Sequence, residues 1–146
     1  MARLFKLAEA QRLIPQLERL MLGAMEKKRA YETAGQEIQQ FTERVMMMGG
    51  MTVDRDRVRA SRERRDAAAQ NLREAIERVQ ELGCVVKDLD IGLVDFPTRF
   101  RGSEVYLCWR LGESAIEFWH GTNEGFRGRK AIDKDFREHH EGDPEQ

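Results

Sequence analysis

Asp95 and His120 are the side chains of this chain whose types best suit acid–base chemistry. A carboxylate and an imidazole brought together can move a proton, and Arg110 or Arg129 could then hold an anionic substrate. The segment Gly121–Lys130 (GTNEGFRGRK) adds to this set. Its glycines let backbone amides point at an anion, and Arg127 and Arg129 supply forked donors. It lacks the strand–loop–helix setting of a P-loop. Trp119 offers a ring face for a ligand or a cation. The candidate binding set is therefore Arg110, Trp119, His120, Arg127 and Arg129, and the candidate catalytic pair is Asp95 and His120. The same residues also have a structural reading, which we prefer because ion-pair networks produce such clusters without catalysis. In it, an Asp95–Arg129 salt bridge locks the loop over a sheet, and His120 bonds a loop carbonyl.

Metal chemistry reads as absent. Cys84, Cys108 and His120 could meet, with His139 and His140 as further ligands. However, the chain has no CxxC, HxxxH or HExxH spacing. No metal and no cofactor are expected, and the two cysteines read as buried thiols. Two cysteines cannot build a disulfide framework, which points to a reducing, cytoplasmic compartment.

These residues need a scaffold, and the second half of the chain supplies one. Cys84–Val86 and Leu89–Phe96 read as short strands, the second ended by Pro97. Glu104–Arg110 (EVYLCWR) and Ala115–His120 (AIEFWH) flank a Gly-containing turn and read as a hairpin. A turn centred on Gly112-Glu113 sets Trp109 against Ile116, Leu107 against Phe118 and Val105 against His120. Val105, Leu107, Trp109, Ile116, Phe118 and His120 then share an apolar core face. Tyr106, Cys108, Arg110, Ala115, Glu117 and Trp119 share the other. That register separates Cys108 from His120 and disfavours a thiol–imidazole nucleophile.

The first half reads as helical. Leu13, Leu17, Leu20, Ala24, Tyr31, Ala34, Ile38, Phe41, Val45 and Met48 recur at spacings of mostly three and four, a heptad seam. Pro15 either kinks this helix or marks a fresh start. Gly49-Gly50 ends it, and a second helix runs from about Val53 to Leu82, with Gly83 as its C-terminal stop. The short loop makes the two helices antiparallel neighbours. Ile14, Met21, Met25, Met46 and Met47 widen the apolar stripe, so a further layer must cover it. A second copy, forming a four-helix dimer, is the expected cover, with the β unit as the alternative.

The 146 residues carry a net charge of -1 with 35% charged residues. The overall balance excludes a strongly cationic nucleic-acid binder. Residues 1–83 hold 16 Lys+Arg and 13 Asp+Glu, a net +3, and residues 84–146 hold 9 and 13, a net -4. Six arginines lie between Asp54 and Asp66, but Asp54, Asp56, Glu63 and Asp66 interleave with them, so the stretch reads as a solvated helix face. No run of 18 apolar residues suggests a membrane span, and the N-terminus has no signal-peptide h-region.

The set GLVDFP (Gly92–Pro97), EVYLCWRLGE (Glu104–Glu113), FWH (Phe118–His120) and GFRGRK (Gly125–Lys130) resembles a bacterial family, domain of unknown function 2203 (DUF2203). The opening LAEAQRLIPQLERL resembles that family's helical start, although Lys6 stands where the family has a helix-capping Thr. The resemblance covers about residues 5–132. It implies a long helical hairpin joined to a small β unit and brings no established activity. It marks Asp95, Trp109, Arg110, Trp119, His120, Gly125, Phe126 and Arg129 as positions of interest.

The reading is an α+β chain: a helical hairpin over 1–83, a small antiparallel β unit over 84–132, and a flexible polar tail over 133–146. Its expected role is a non-enzymatic homodimer whose β unit binds a small anionic ligand or a partner protein. A small enzyme using Asp95 and His120 is the alternative, and a nucleic-acid scaffold using the Arg55–Arg65 helix is a third and weaker one.

Overall fold

A computed structural model describes residues 3–49 and 54–144. Helix α1 spans Leu7–Met47 and runs through Pro15 without a break. At 41 residues it is roughly 60 Å long. Helix α2, Arg55–Gln80, packs beside it. The expected start of α2 at Val53 lies outside the described residues, as does Gly50. Within them, Asp54 caps α2 by accepting from the amides of Asp56 (3.0 Å) and Arg57 (3.3 Å). Gly83 follows α2 at φ +98°, a conformation that side-chain-bearing residues rarely adopt. Among the described residues, no helix is long and apolar enough to cross a membrane.

An antiparallel sheet follows. Its strands are β1 (Val85–Asp88), β2 (Leu93–Phe100), β3 (Ser103–Arg110), β4 (Phe118–Gly121) and β5 (Lys130–Ala131), adjacent in that order. The chain is thus α+β, a helical hairpin followed by a small sheet. Strand β2 does not end at Pro97 but runs through it. The Pro97 carbonyl accepts from the Phe5 amide at 2.7 Å. In a strand the N and O of one residue face the same side. The missing N–H therefore lies on the side where β1 has already ended, and the ladder with β3 is intact.

The expected register between β3 and β4 is off by one. Tyr106 pairs with His120, Leu107 with Trp119 and Cys108 with Phe118. The connection is not a tight turn on Gly112-Glu113 but the seven-residue segment Leu111–Glu117. Gly112 sits at φ +102°, and the Glu113 amide donates to the Arg110 carbonyl. The Ile116 amide donates to Gln11 Oε1 of α1 at 2.8 Å, so Ile116 leaves the ladder and enters the core. A slip of one residue moves every side chain of β4 to the opposite face. His120 therefore joins Cys108, and Trp119 joins Leu107.

The segment expected as a flexible tail forms elements as far as it is described. Helix α3 (Lys134–His139) leads into β6 (His140–Glu141), which pairs with the far end of β2. Phe136 is the reason: it is buried and stacks against Trp119, with ring centroids 5.0 Å apart. Residues 145–146 lie outside the described set.

The near end of the hairpin shares one core with the sheet. Leu17, Met21 and Val79 pack in the same cluster as Val94, Phe96, Leu107 and Trp109. Burying such side chains is worth about 1.5–3 kcal/mol each. The widened stripe of α1 is thus covered at its near end by the chain's own sheet. Ile14 and Met21 are buried there, whereas Met46 and Met47 at the far end are 75% and 88% exposed.

Candidate functional site

The sheet face turned away from the helices carries the chemistry. Asp95 on β2 and Cys108 on β3 are register partners, and His120 on β4 lies two pairs further along, on the same face. All three are buried, at 0%, 0% and 2% exposure. His120 Nε2 stands 2.9 Å from Asp95 Oδ1, and its Nδ1 stands 2.8 Å from the Gly121 carbonyl oxygen. A carbonyl oxygen only accepts, so Nδ1 carries a proton and donates it. Nε2 is thereby left to face the carboxylate, and this contact needs a proton shared between the two groups.

One ligand atom from each of Asp95, Cys108 and His120 fits within 4.8 Å of the others. Burial first, and then the negative charge of Asp95, push the Cys108 thiol up to about 12. Asp95 Oδ2 is buried with no hydrogen-bond partner. The expected separation of Cys108 from His120 is corrected by the register shift described above.

Arg129 does not bond Asp95, contrary to the structural reading. Its Nη2 donates to Glu113 Oε2 at 2.6 Å. Its guanidinium lies 3.9 Å from the Phe118 ring centroid and 4.8 Å from that of Phe126. Glu113 is positioned by its own loop: its Oε1 accepts from the Arg110 amide at 2.6 Å, and its carbonyl accepts from Trp109 Nε1 at 2.9 Å. Sequence reasoning placed Glu113 only in a turn. The signal that could have found it is a carboxylate three residues after Arg110, inside the hairpin connection.

The five candidate binding residues are not brought together. His120 and Arg129 serve the inner cluster. Arg110 and Arg127 are exposed, with the Arg110 guanidinium 5.7 Å from the Phe126 ring centroid. Trp119 lies on the opposite sheet face, half-buried among Phe100 and Phe136, with Lys130 Nζ 4.6 Å from its ring centroid. The two exposed arginines and Trp119 therefore point to different surroundings. Trp109, by contrast, is core.

With this geometry in hand, comparison with known proteins adds one positive finding. A family model described as "Uncharacterized conserved protein (DUF2203)" matches residues 3–132, most of the chain, and the chain belongs to that family. No curated protein and no solved structure matches it.

Proposed function

On the premise of that membership, which carries no assigned activity, we propose that the chain is a non-enzymatic assembly protein whose far hairpin docks a second copy. The observation that carries this is the apolar far end of the hairpin, which the sheet does not cover. Ile38, Phe41, Val45, Met46 and Val58 line an open groove of about 230 Å³, and Met46 and Met47 stand in solvent. Exposed apolar surface of this kind marks an interface.

The charges favour a copy of the same chain. Residues 30–47 of α1 hold three acids and one Arg, a net -2. Residues 54–66 of α2 hold six Arg and four acids, a net +2. A two-fold dimer sets each α1 against the partner's α2, so the surface is self-complementary. The test is amide hydrogen exchange against protein concentration. Protection should rise with concentration in residues 30–47 and 55–68 and stay constant in β2 and β3. Equal protection at all concentrations would overturn the reading.

The ligand part of the reading narrows to Arg110 and Arg127, the exposed cations beside Phe126, as contacts for an anionic ligand or an acidic group of a partner protein. A phosphate titration followed by arginine side-chain NMR should shift their signals and leave Arg129 in place. Two free, buried cysteines support a reducing compartment. The enzyme reading has the 2.9 Å Asp95–His120 contact in its favour. Against it, both side chains are sealed from any substrate.

A further inference from the structure

We propose that Asp95, Cys108 and His120 form a binding site for a divalent transition-metal ion of the zinc class. A carboxylate, a thiol sulfur and an imidazole nitrogen are the donor types that such an ion takes, whereas magnesium and calcium take oxygen alone. The three donors come from three adjacent strands, which hold them on a rigid frame. Neighbouring ligands on a tetrahedral ion with bonds of about 2.0 Å lie roughly 3.3 Å apart. The 2.9 Å between His120 Nε2 and Asp95 Oδ1 needs to open by only a few tenths of an ångström, and Cys108 Sγ is within the 4.8 Å envelope.

Two further observations point to a ligand. Asp95 Oδ2 is buried, unpartnered and part of the cluster. The bond from His120 Nδ1 to the Gly121 carbonyl is the outer contact that metal-binding histidines make, and the Nε2 lone pair is left for the ion once the ion displaces to solvent the proton shared with Asp95. Beside the cluster Glu113 pairs with Arg129, so a carboxylate already meets the charge of the guanidinium.

The test uses the full chain, stripped with chelator and then offered Co²⁺, both in the native state and during refolding from urea. Refolding gives the ion access to a site that the native fold seals. Thiolate-to-cobalt absorption should saturate at about one ion per chain, and Zn²⁺ should displace it. Cys108→Ser should abolish the band, and Asp95→Asn should weaken Zn²⁺ binding at least about tenfold. Cys84→Ala should keep the band, which guards against a Cys108 variant that fails to fold. A folded wild-type chain that takes up neither ion by either route would overturn the proposal. So would a band that survives Cys108→Ser or disappears in a folded Cys84→Ala.

Discussion

The imidazole of His140 accepts a hydrogen bond at 2.9 Å from the backbone N–H of Leu7, the first residue of α1. Its Nδ1 faces the carbonyls of Phe136 and Arg137, so Nδ1 carries the proton and Nε2 is free to accept. The amides of a helix's first turn lack intrahelical partners. Lys6 offers no capping oxygen, and a residue near the far end of the chain does the capping. Glu9 completes the start by accepting from the Lys6 amide at 3.0 Å.

Replacing His140 by Phe should therefore keep the stacking on Phe136 (5.3 Å, 9° between planes) and remove the cap. We expect a loss of about 1 kcal/mol, typical of a lost N-cap. Urea unfolding measures it, and wild-type stability in this variant would show that the contact contributes nothing.

Asp95 and His120 should behave as one unit. Removing either leaves the other buried without its partner, at a cost of about 3–5 kcal/mol. Removing both should cost less than the sum of the single changes, with a coupling of about 1–3 kcal/mol. A double-mutant cycle of Asp95→Ala and His120→Ala, run in chelator so that only the pair is read, decides this. Additive losses would contradict the pairing.

Gly92 sits at φ +69°, and a Cβ there would come within 2.5 Å of Leu111 Cβ. Leu111 is held close because its amide donates to the Gly92 carbonyl at 2.9 Å. Gly92→Ala adds a strained backbone to this clash and should lower stability by about 2 kcal/mol or more. A thermal melt indistinguishable from wild type would refute the tight crossing.

Cys84 sets an alkaline limit. Burial pushes its thiol up from 9.0 to about 11. The unfolded chain loses this proton from about pH 9, while the folded chain holds it until about pH 11. The folded state binds more protons in that window, so stability falls as pH rises through it, by roughly 3 kcal/mol in all. Below pH 9 this contribution is fully present. Cys84→Ala should roughly halve the thiol-linked slope of unfolding free energy between pH 9 and 11, the remainder coming from Cys108, whose buried thiol is pushed up to about 12. An unchanged slope would rule the thiol out as its cause.

Much of the fold was legible in the chain. The heptad spacing from Leu13 to Met48 marks α1, and Gly83 marks the end of α2. The pattern EVYLCWR marks β3. What escaped was set by long-range contacts. Gln11, more than 100 residues away, draws Ile116 out of the ladder and shifts the β4 register, and no local pattern encodes that. Phe136, in a polar stretch, anchors the C-terminal segment on Trp119, and His140 ties it to α1. The site suffered from the same slip. Asp95 and His120 were recognisable by type, but with β4 one residue out of register Cys108 fell on the wrong face. Arg129 pairs with Glu113 rather than Asp95 because the hairpin connection is long enough to fold Glu113 back over the sheet, which local pattern does not encode.

Sedimentation equilibrium of the full chain across micromolar concentrations reads the dimer without any variant. The wild type should sediment at the mass of two 17.0 kDa chains. Phe41→Glu, which places a charge in the groove between the far ends of α1 and α2, should give a folded monomer. A wild-type chain that sediments as a monomer throughout, or a Phe41→Glu chain that stays dimeric, would contradict the proposed dimer.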